Sequence, residues 1–414
     1  MRESSDALVN GALGEHGQSG SLTVVEPLHG AEQAPEPHRG WRHTGRRVVA
    51  ACRPALPVVA IAAAAHVLVI LVAVAATYDS HIPVQRAFYG WDATWYLAIA
   101  HSGYPHVIPT GQGDPAQSPL GFLPGLPILI WATSEVLRVG TGVAGQIVTT
   151  LTSLSAAVMV WLMLRDDEGD ERARQGTTLL VFWPAAFVLA MIYGEGLFIT
   201  LVAGAILALR RRRWVLAGCL AALAPITDPV GIAIFVPCIW AAVVAIRRRR
   251  DWSSLAAPLI APIGLVGFMA FLWSWTGTPF AWYIAQRRGW QYGAAPFWSI
   301  PRQFVELVRE HLQNPNPDIK AASTLVVLGL LIWMIRARPD PIYLAYVIPV
   351  LLLGAASGVI SWSPRLALRA FPLIALAGAR LPRQWATPII ATSAVLMAVV
   401  ATLSFGNTPA AFTP

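Results

Sequence analysis

Lysine is almost missing from this chain of 414 residues, with Lys320 as its single example. The net charge of +8 is therefore carried by arginine, and charged residues make up only 13% of the sequence. A soluble domain carries about 25%. The arginines stand in short clusters between apolar blocks, a pattern that excludes a basic nucleic-acid surface and fits cytoplasmic loops between membrane spans. Cysteine is scarce too. Cys52, Cys219 and Cys238 have no CxxC spacing and their number is odd, which argues against a disulfide framework or a thiolate metal set. No DxD pair and no His/Glu cluster is present, and His101 and His106 are poorly spaced for a metal, so no metal is expected. Alternating ten-residue segments are absent as well, which excludes a transmembrane β-barrel. A secretory signal and a lipidation motif are not visible at the N-terminus.

What the chain has in excess is apolar sequence, 56% of residues. It comes in blocks of about 15–25, the length that crosses a hydrocarbon core about 30 Å thick. The fold class expected is all-α, a polytopic helical membrane protein. Heavy use of Ala, Gly and Pro with Arg in place of Lys suggests a bacterial genome rich in G and C. Residues 1–38 are polar and aperiodic, a disordered cytoplasmic tail. The membrane domain is expected over 39–406, with outside loops at 79–118 and 276–319 and a short tail at 407–414.

Arginine clusters set the topology. Arg39–Arg53 precedes the first span, Pro54–Tyr78, and keeps the N-terminus inside. The turns Arg165–Arg174, Arg210–Arg213, Arg247–Arg250, Arg336–Asp340 and Arg380–Arg383 are then cytoplasmic. Hairpins between them fold at Tyr193-Gly-Glu-Gly196, Ile226-Thr-Asp-Pro229 and Ser361-Trp-Ser-Pro-Arg365. Parity is the difficulty, because 119–137 and 143–164 are both apolar. Pro119, Pro124 and Pro127 break the first of these, so it is expected to be re-entrant or interfacial, giving about eleven crossings.

This topology gathers Asp92, Glu195, Asp228, Gln286, Arg287, Arg288 and Arg365 on the outer face, with Arg369 one turn deeper. Charges at membrane depth are costly unless they pair or line a watery cavity, so their convergence suggests a polar pocket. As ordinary loop residues or helix-end acids they need no pocket. On a helix, Asp92, Trp95, Tyr96, Ile99 and Gly103 share one side, and Trp91, Trp95 and Tyr96 suit an interfacial position.

The stretch WDATWYLAIAHSGYP, Trp91–Pro105, resembles the signature of the PIG-V-type mannosyltransferases, relatives of GPI mannosyltransferase II within the GT-C superfamily. The family pattern of Trp-Asp, aromatic, Ile-Ala and Gly-Tyr is met by Trp91, Asp92, Trp95, Tyr96, Ile99, Ala100, Gly103 and Tyr104. Gly121–Pro127, Phe182–Phe198 with Tyr193 and Glu195, Arg212–Ile234 and Ser363–Ala377 are similar to further family segments in the same order. Three departures stand out. Both serines around Glu195 are glycine, the family's Thr-Arg-Pro reads Thr227-Asp228-Pro229, and Leu126 replaces a tyrosine.

The resemblance implies a glycosyltransferase of the cell membrane with its active site on the outer face. Its donor would be a polyprenyl-phosphate sugar, with mannose as the hexose. The acceptor would be an envelope glycolipid, glycan or protein, and the partners are thus membrane lipid and no nucleic acid. No cofactor is expected. Asp92 is the expected base, with Glu195 orienting acceptor or sugar. Arg287, Arg288, Arg365 and Arg369 suit the phosphate, since a guanidinium gives it paired hydrogen bonds. Trp91, Trp95 and Trp290 suit the sugar faces, and Tyr96, Tyr104, Tyr193 and Gln286 complete the expected substrate contacts. Two other readings remain open, an inactive GT-C-derived scaffold and a transporter. A transporter wants ionisable groups at mid-bilayer, where His66 is the main candidate.

Overall fold

The computed structural model describes residues 53–78, 83–111, 116–290, 299–310, 315–356 and 364–405. The expected tails at 1–38 and 407–414, parts of both outside loops and the tip Ser361–Ser363 lie outside these. The described residues are helical and contain no strand.

The chain opens with α1 (Leu56–Tyr78), followed by the short α2 (Asp92–Ser102) and α3 (Gly125–Leu137). Next come the long α4 (Thr141–Glu168), α5 (Asp170–Val181) and α6 (Glu195–Arg210). The middle of the chain holds α7 (Trp214–Leu223), α8 (Phe235–Arg249), α9 (Ile263–Thr276) and α10 (Ala281–Gly289). Then follow α11 (Ser299–Glu310), α12 (Pro315–Ala337), α13 (Pro341–Ala356), α14 (Pro364–Arg369), α15 (Phe371–Arg380) and α16 (Arg383–Phe405).

Six helical stretches among the described residues are long and apolar enough to cross a membrane: Arg53–Tyr78, Thr141–Glu168, Pro229–Arg249, Trp252–Thr276, Asp318–Ala337 and Arg383–Phe405. Their outer faces expose large apolar residues such as Leu71, Leu151, Leu259, Val266 and Val395. Water would penalise such a surface and lipid would not. The chain is an all-α, multi-pass membrane protein.

Several expected hairpin arms are shorter than a span. α6 and α13 have 16 residues each, and α7 and α15 have 10. Sixteen residues rise about 24 Å, less than the hydrocarbon thickness of about 30 Å. Glu195 and Asp228, at the tips of two of these hairpins, are buried.

The arginine turns meet at one end of the bundle. Arg211 pairs with Asp166 at 3.2 Å, Arg380 with Glu168 at 2.6 Å and Arg210 with Asp340 at 3.3 Å. The Trp214 indole donates to Asp251 at 3.1 Å, which brings in the fifth turn, Arg247–Arg250. Glu195 opens α6, which ends at Arg210, and Asp228 precedes the helical stretch Pro229–Arg249; Arg365 pairs with Glu195 and Asp92 at this other end.

Gly125, at the start of α3, donates its N–H to the Ile226 carbonyl at 2.8 Å, at the hairpin tip next to Asp228. α3 then turns at Arg138 into α4, whose early residue Gln146 donates to the Ala190 carbonyl at 2.9 Å, close to Tyr193. The start of α3 and the start of α4 thus both lie near the site, while α4 runs on to the arginine end.

Close helix crossings are bought with glycine. Gly176 of α5 packs on the Ala375 carbonyl and Gly378 of α15, so a Cβ there would collide with backbone. The core around them is aromatic, with Trp161, Phe187, Tyr193, Phe198, Tyr343, Tyr346 and Phe371 fully buried.

Candidate functional site

α2 starts abruptly. Trp91 holds φ 57° and ψ −126°, a conformation that costs a residue with a side chain about 1–3 kcal/mol. The turn places Asp92 in the first position of α2, where its backbone N–H points at the Tyr193 hydroxyl, 3.4 Å away. Ala93, Tyr96, Ile99 and Ala100 bury one face of the helix, which fixes the acid above the bundle.

Glu195 opens α6 and is enclosed. Its neighbour Gly196 packs against the Ser153 backbone of α4, where a Cβ would come within 2.9 Å of the Ser153 nitrogen. Gly196 therefore has a packing reason. Asp228 caps the 3-10 turn Pro229–Ile234, its Oδ1 accepting from the Val230 N–H at 2.9 Å.

Arg365 and Arg369 of α14, one turn apart, tie the three acids together. Arg365 Nη1 donates to Asp92 Oδ2 at 2.9 Å, and Arg365 Nε donates to Glu195 Oε1. Its guanidinium also lies over the Tyr193 ring, 4.7 Å from the centroid. Arg369 Nη2 is 3.5 Å from the same Glu195 oxygen. Arg369 Nε stands 2.6 Å from Asp228 Oδ2, close enough for an ion pair though not aligned as a hydrogen bond. α14 is itself held by the Tyr346 hydroxyl on the Arg369 carbonyl at 2.9 Å and by the Trp183 indole on the Pro364 carbonyl at 3.3 Å.

Access separates the members. The Asp92 side chain is 31% exposed, against 13% for both arginines, 6% for Asp228 and 1% for Glu195. Among the described members of the cluster, Asp92 is the most exposed. Glu195 Oε2 is buried with no hydrogen-bond partner. Among the described residues, three carboxylates face two guanidiniums, one negative charge in excess.

An aromatic wall adjoins the acid. Trp95 stacks on Phe122 at 5.8 Å and meets Trp290 edge-on at 5.5 Å. Tyr96 meets Phe122 edge-on at 5.4 Å. Burial, reinforced by the Asp92 and Glu195 carboxylates, pushes the Tyr96 phenol well above its ordinary range.

The other expected contact residues stand apart from the ion cluster. Tyr104 donates its hydroxyl to the Phe122 carbonyl at 2.8 Å, and burial likewise pushes that phenol up. Gln286 donates to the Gly121 carbonyl and Arg288 to the Pro109 carbonyl, so α10 lies against the loop before α3. Arg287 is exposed. Two features were not anticipated from sequence. One is Phe122 at the centre of the wall, inside a Gly-Phe-Leu-Pro segment valued for its prolines. The other is the pairing of Asp228 with Arg369, which gives the substituted acid a cation partner. Among the described residues no three His, Cys, Asp or Glu side chains are gathered for a metal ion.

An apolar groove of about 420 Å³ runs beside the site, lined by Leu123, Pro229, Phe268, Leu272, Trp282 and Tyr283 among others. It joins the site through the chain itself, since Pro229 follows Asp228 and Leu123 follows Phe122.

No family model matches the chain, and no curated protein does. Among solved structures, the apo oligosaccharyltransferase of Archaeoglobus fulgidus is similar at 13% identity and TM-score 0.48, over 84% of this chain and 57% of that one. The archaeal oligosaccharyltransferase AglB from the same organism, in complex with an inhibitory peptide and a dolichol-phosphate, is similar at 12% identity and TM-score 0.46. That match covers 82% of this chain and 56% of the other, so this chain spans a little over half the length of either. The chemistry open to the site follows from its own residues.

Proposed function

We propose that the chain is a membrane glycosyltransferase moving a hexose from a polyprenyl-phosphate sugar to an acceptor hydroxyl. The observation that carries this reading is Asp92, the most exposed of the described cluster carboxylates, held by a buried arginine beside an aromatic wall and an apolar groove. Sugar rings pack on aromatic faces, a prenyl chain suits the groove, and a fixed carboxylate suits a hydroxyl nucleophile.

In the step proposed, the acceptor oxygen attacks the anomeric carbon as its proton passes to Asp92. The bond between that carbon and the phosphate oxygen breaks, and the electron pair leaves with the polyprenyl phosphate. Arg365 fixes the direction of the Asp92 carboxylate. Glu195, expected from sequence to touch substrate, is enclosed and serves instead by holding Arg365 and Arg369. Preorganisation of this kind acts on the transition state, where it raises rate.

Mannose as the sugar, and a PIG-V-type relationship within GT-C, rest on the Trp91–Pro105 signature. An envelope glycolipid, glycan or protein is the acceptor class. With the arginine end in the cytoplasm by the positive-inside rule, the site faces outward across the cell membrane.

Purified protein in proteoliposomes, given labelled polyprenyl-phosphate mannose, polyprenyl-phosphate glucose and a membrane extract, tests the reading. Transfer of mannose in preference to glucose is expected. If neither donor is consumed, the cluster is structural and the scaffold reading takes its place.

A further inference from the structure

We infer that the donor phosphate binds at Arg287 and Arg288 on α10, with the prenyl chain in the adjoining groove, and not at Arg365 or Arg369. The inference rests on the transfer reading above and assigns its phosphate subsite.

Charge is the first reason. Arg365 already faces Asp92 and Glu195, and Arg369 faces Glu195 and Asp228. A phosphate brought there would enter a buried cluster already one negative charge in excess, where repulsion is weakly screened. α10 is the opposite case. Among the described residues neither Arg287 nor Arg288 has an acidic partner. Arg288 is aimed by its bond to the Pro109 carbonyl at 2.5 Å, which leaves its charge intact, and Arg287 is exposed.

Placement is the second reason. Tyr283 lines the groove, and Arg287 is four residues further on the same helix, on the same face. Trp290 follows three residues later and meets Trp95, itself three residues from Asp92. From Tyr283 to Trp290 is about 10 Å along the helix. The sequence groove, guanidinium, aromatic pair, carboxylate matches the order tail, phosphate, sugar, attacking hydroxyl in a polyprenyl-phosphate sugar. The donor's phosphodiester keeps two free oxygens that accept paired hydrogen bonds from guanidinium, as does the monoester of polyprenyl monophosphate.

Binding to the full chain in phosphatidylcholine nanodiscs reads this without catalysis, using polyprenyl monophosphate, polyprenol and phosphatidylglycerol as probes. The double variant Arg287→Ala/Arg288→Ala is expected to lose about tenfold or more in affinity for polyprenyl monophosphate, with polyprenol binding unchanged. Tyr283→Ala is expected to weaken both prenyl probes. Equal binding of polyprenyl monophosphate by wild type and the double variant would overturn the assignment. So would phosphatidylglycerol binding as tightly and depending on the same arginines. The two readings fail separately. Loss of phosphate binding in the double variant, with no transfer from any donor by wild type, leaves the subsite standing and removes the enzyme.

Discussion

Asp92→Asn should lower the rate of sugar transfer by about 10²–10⁴-fold, the usual contribution of a positioned general base. The substitution is close to isosteric. Its amide oxygen can still accept from Arg365 Nη1, and the backbone N–H facing Tyr193 is untouched. What is lost is the site for the acceptor's proton. Because that proton moves only in the transition state, kcat should fall while KM for the donor changes little. Initial transfer rates over a range of donor concentrations, with a melting curve to verify folding, read the split. Full activity in the variant would remove Asp92 as the base.

The largest effect on stability is expected at Arg365. Removing one partner of a buried pair costs about 3–5 kcal/mol, because a charge is left buried without compensation. Arg365→Met does this to Glu195, which is 1% exposed, and also deprives Asp92 of its partner. Arg369, at 3.5 Å from Glu195, compensates only in part. Differential scanning of purified protein should show a large fall in Tm. Adding Glu195→Gln should recover much of it by removing the orphaned charge, a rescue that simple loss of side-chain packing would not allow. The contrast is Arg383→Met at the other end. Its pair with Glu171 is 80% and 66% exposed, and such surface pairs contribute about 0–1 kcal/mol.

The sequence tells a good deal about this arrangement. Alternating arginine turns place Asp92, Glu195, Asp228 and Arg365 at one end because each lies at a hairpin tip between two such turns. Ion pairs join those turns across the bundle. Helix length is less legible. Hydropathy runs without a break through 177–209 and 214–246, whereas the backbone breaks at Glu195 and Asp228 so that side chains can converge. Pairing is least legible. Asp228 looks like a charge of the wrong sign until Arg369, far along the chain, is seen 2.6 Å away. Gln286 and Arg288 are expected beside the acids, yet they donate to the Gly121 and Pro109 carbonyls instead. Nothing in a linear sequence records which wall of a pocket a helix will form.

The most direct measurement is a structure of the protein, as the slow Asp92→Asn form, with polyprenyl-phosphate mannose bound. The sugar should lie against Trp95 and Trp290 with the prenyl chain in the groove. Its anomeric carbon should leave room for an acceptor oxygen about 3–3.5 Å away, within hydrogen-bond reach of residue 92. A sugar bound at the arginine-rich end, or one whose anomeric carbon is walled off from residue 92, would contradict the account.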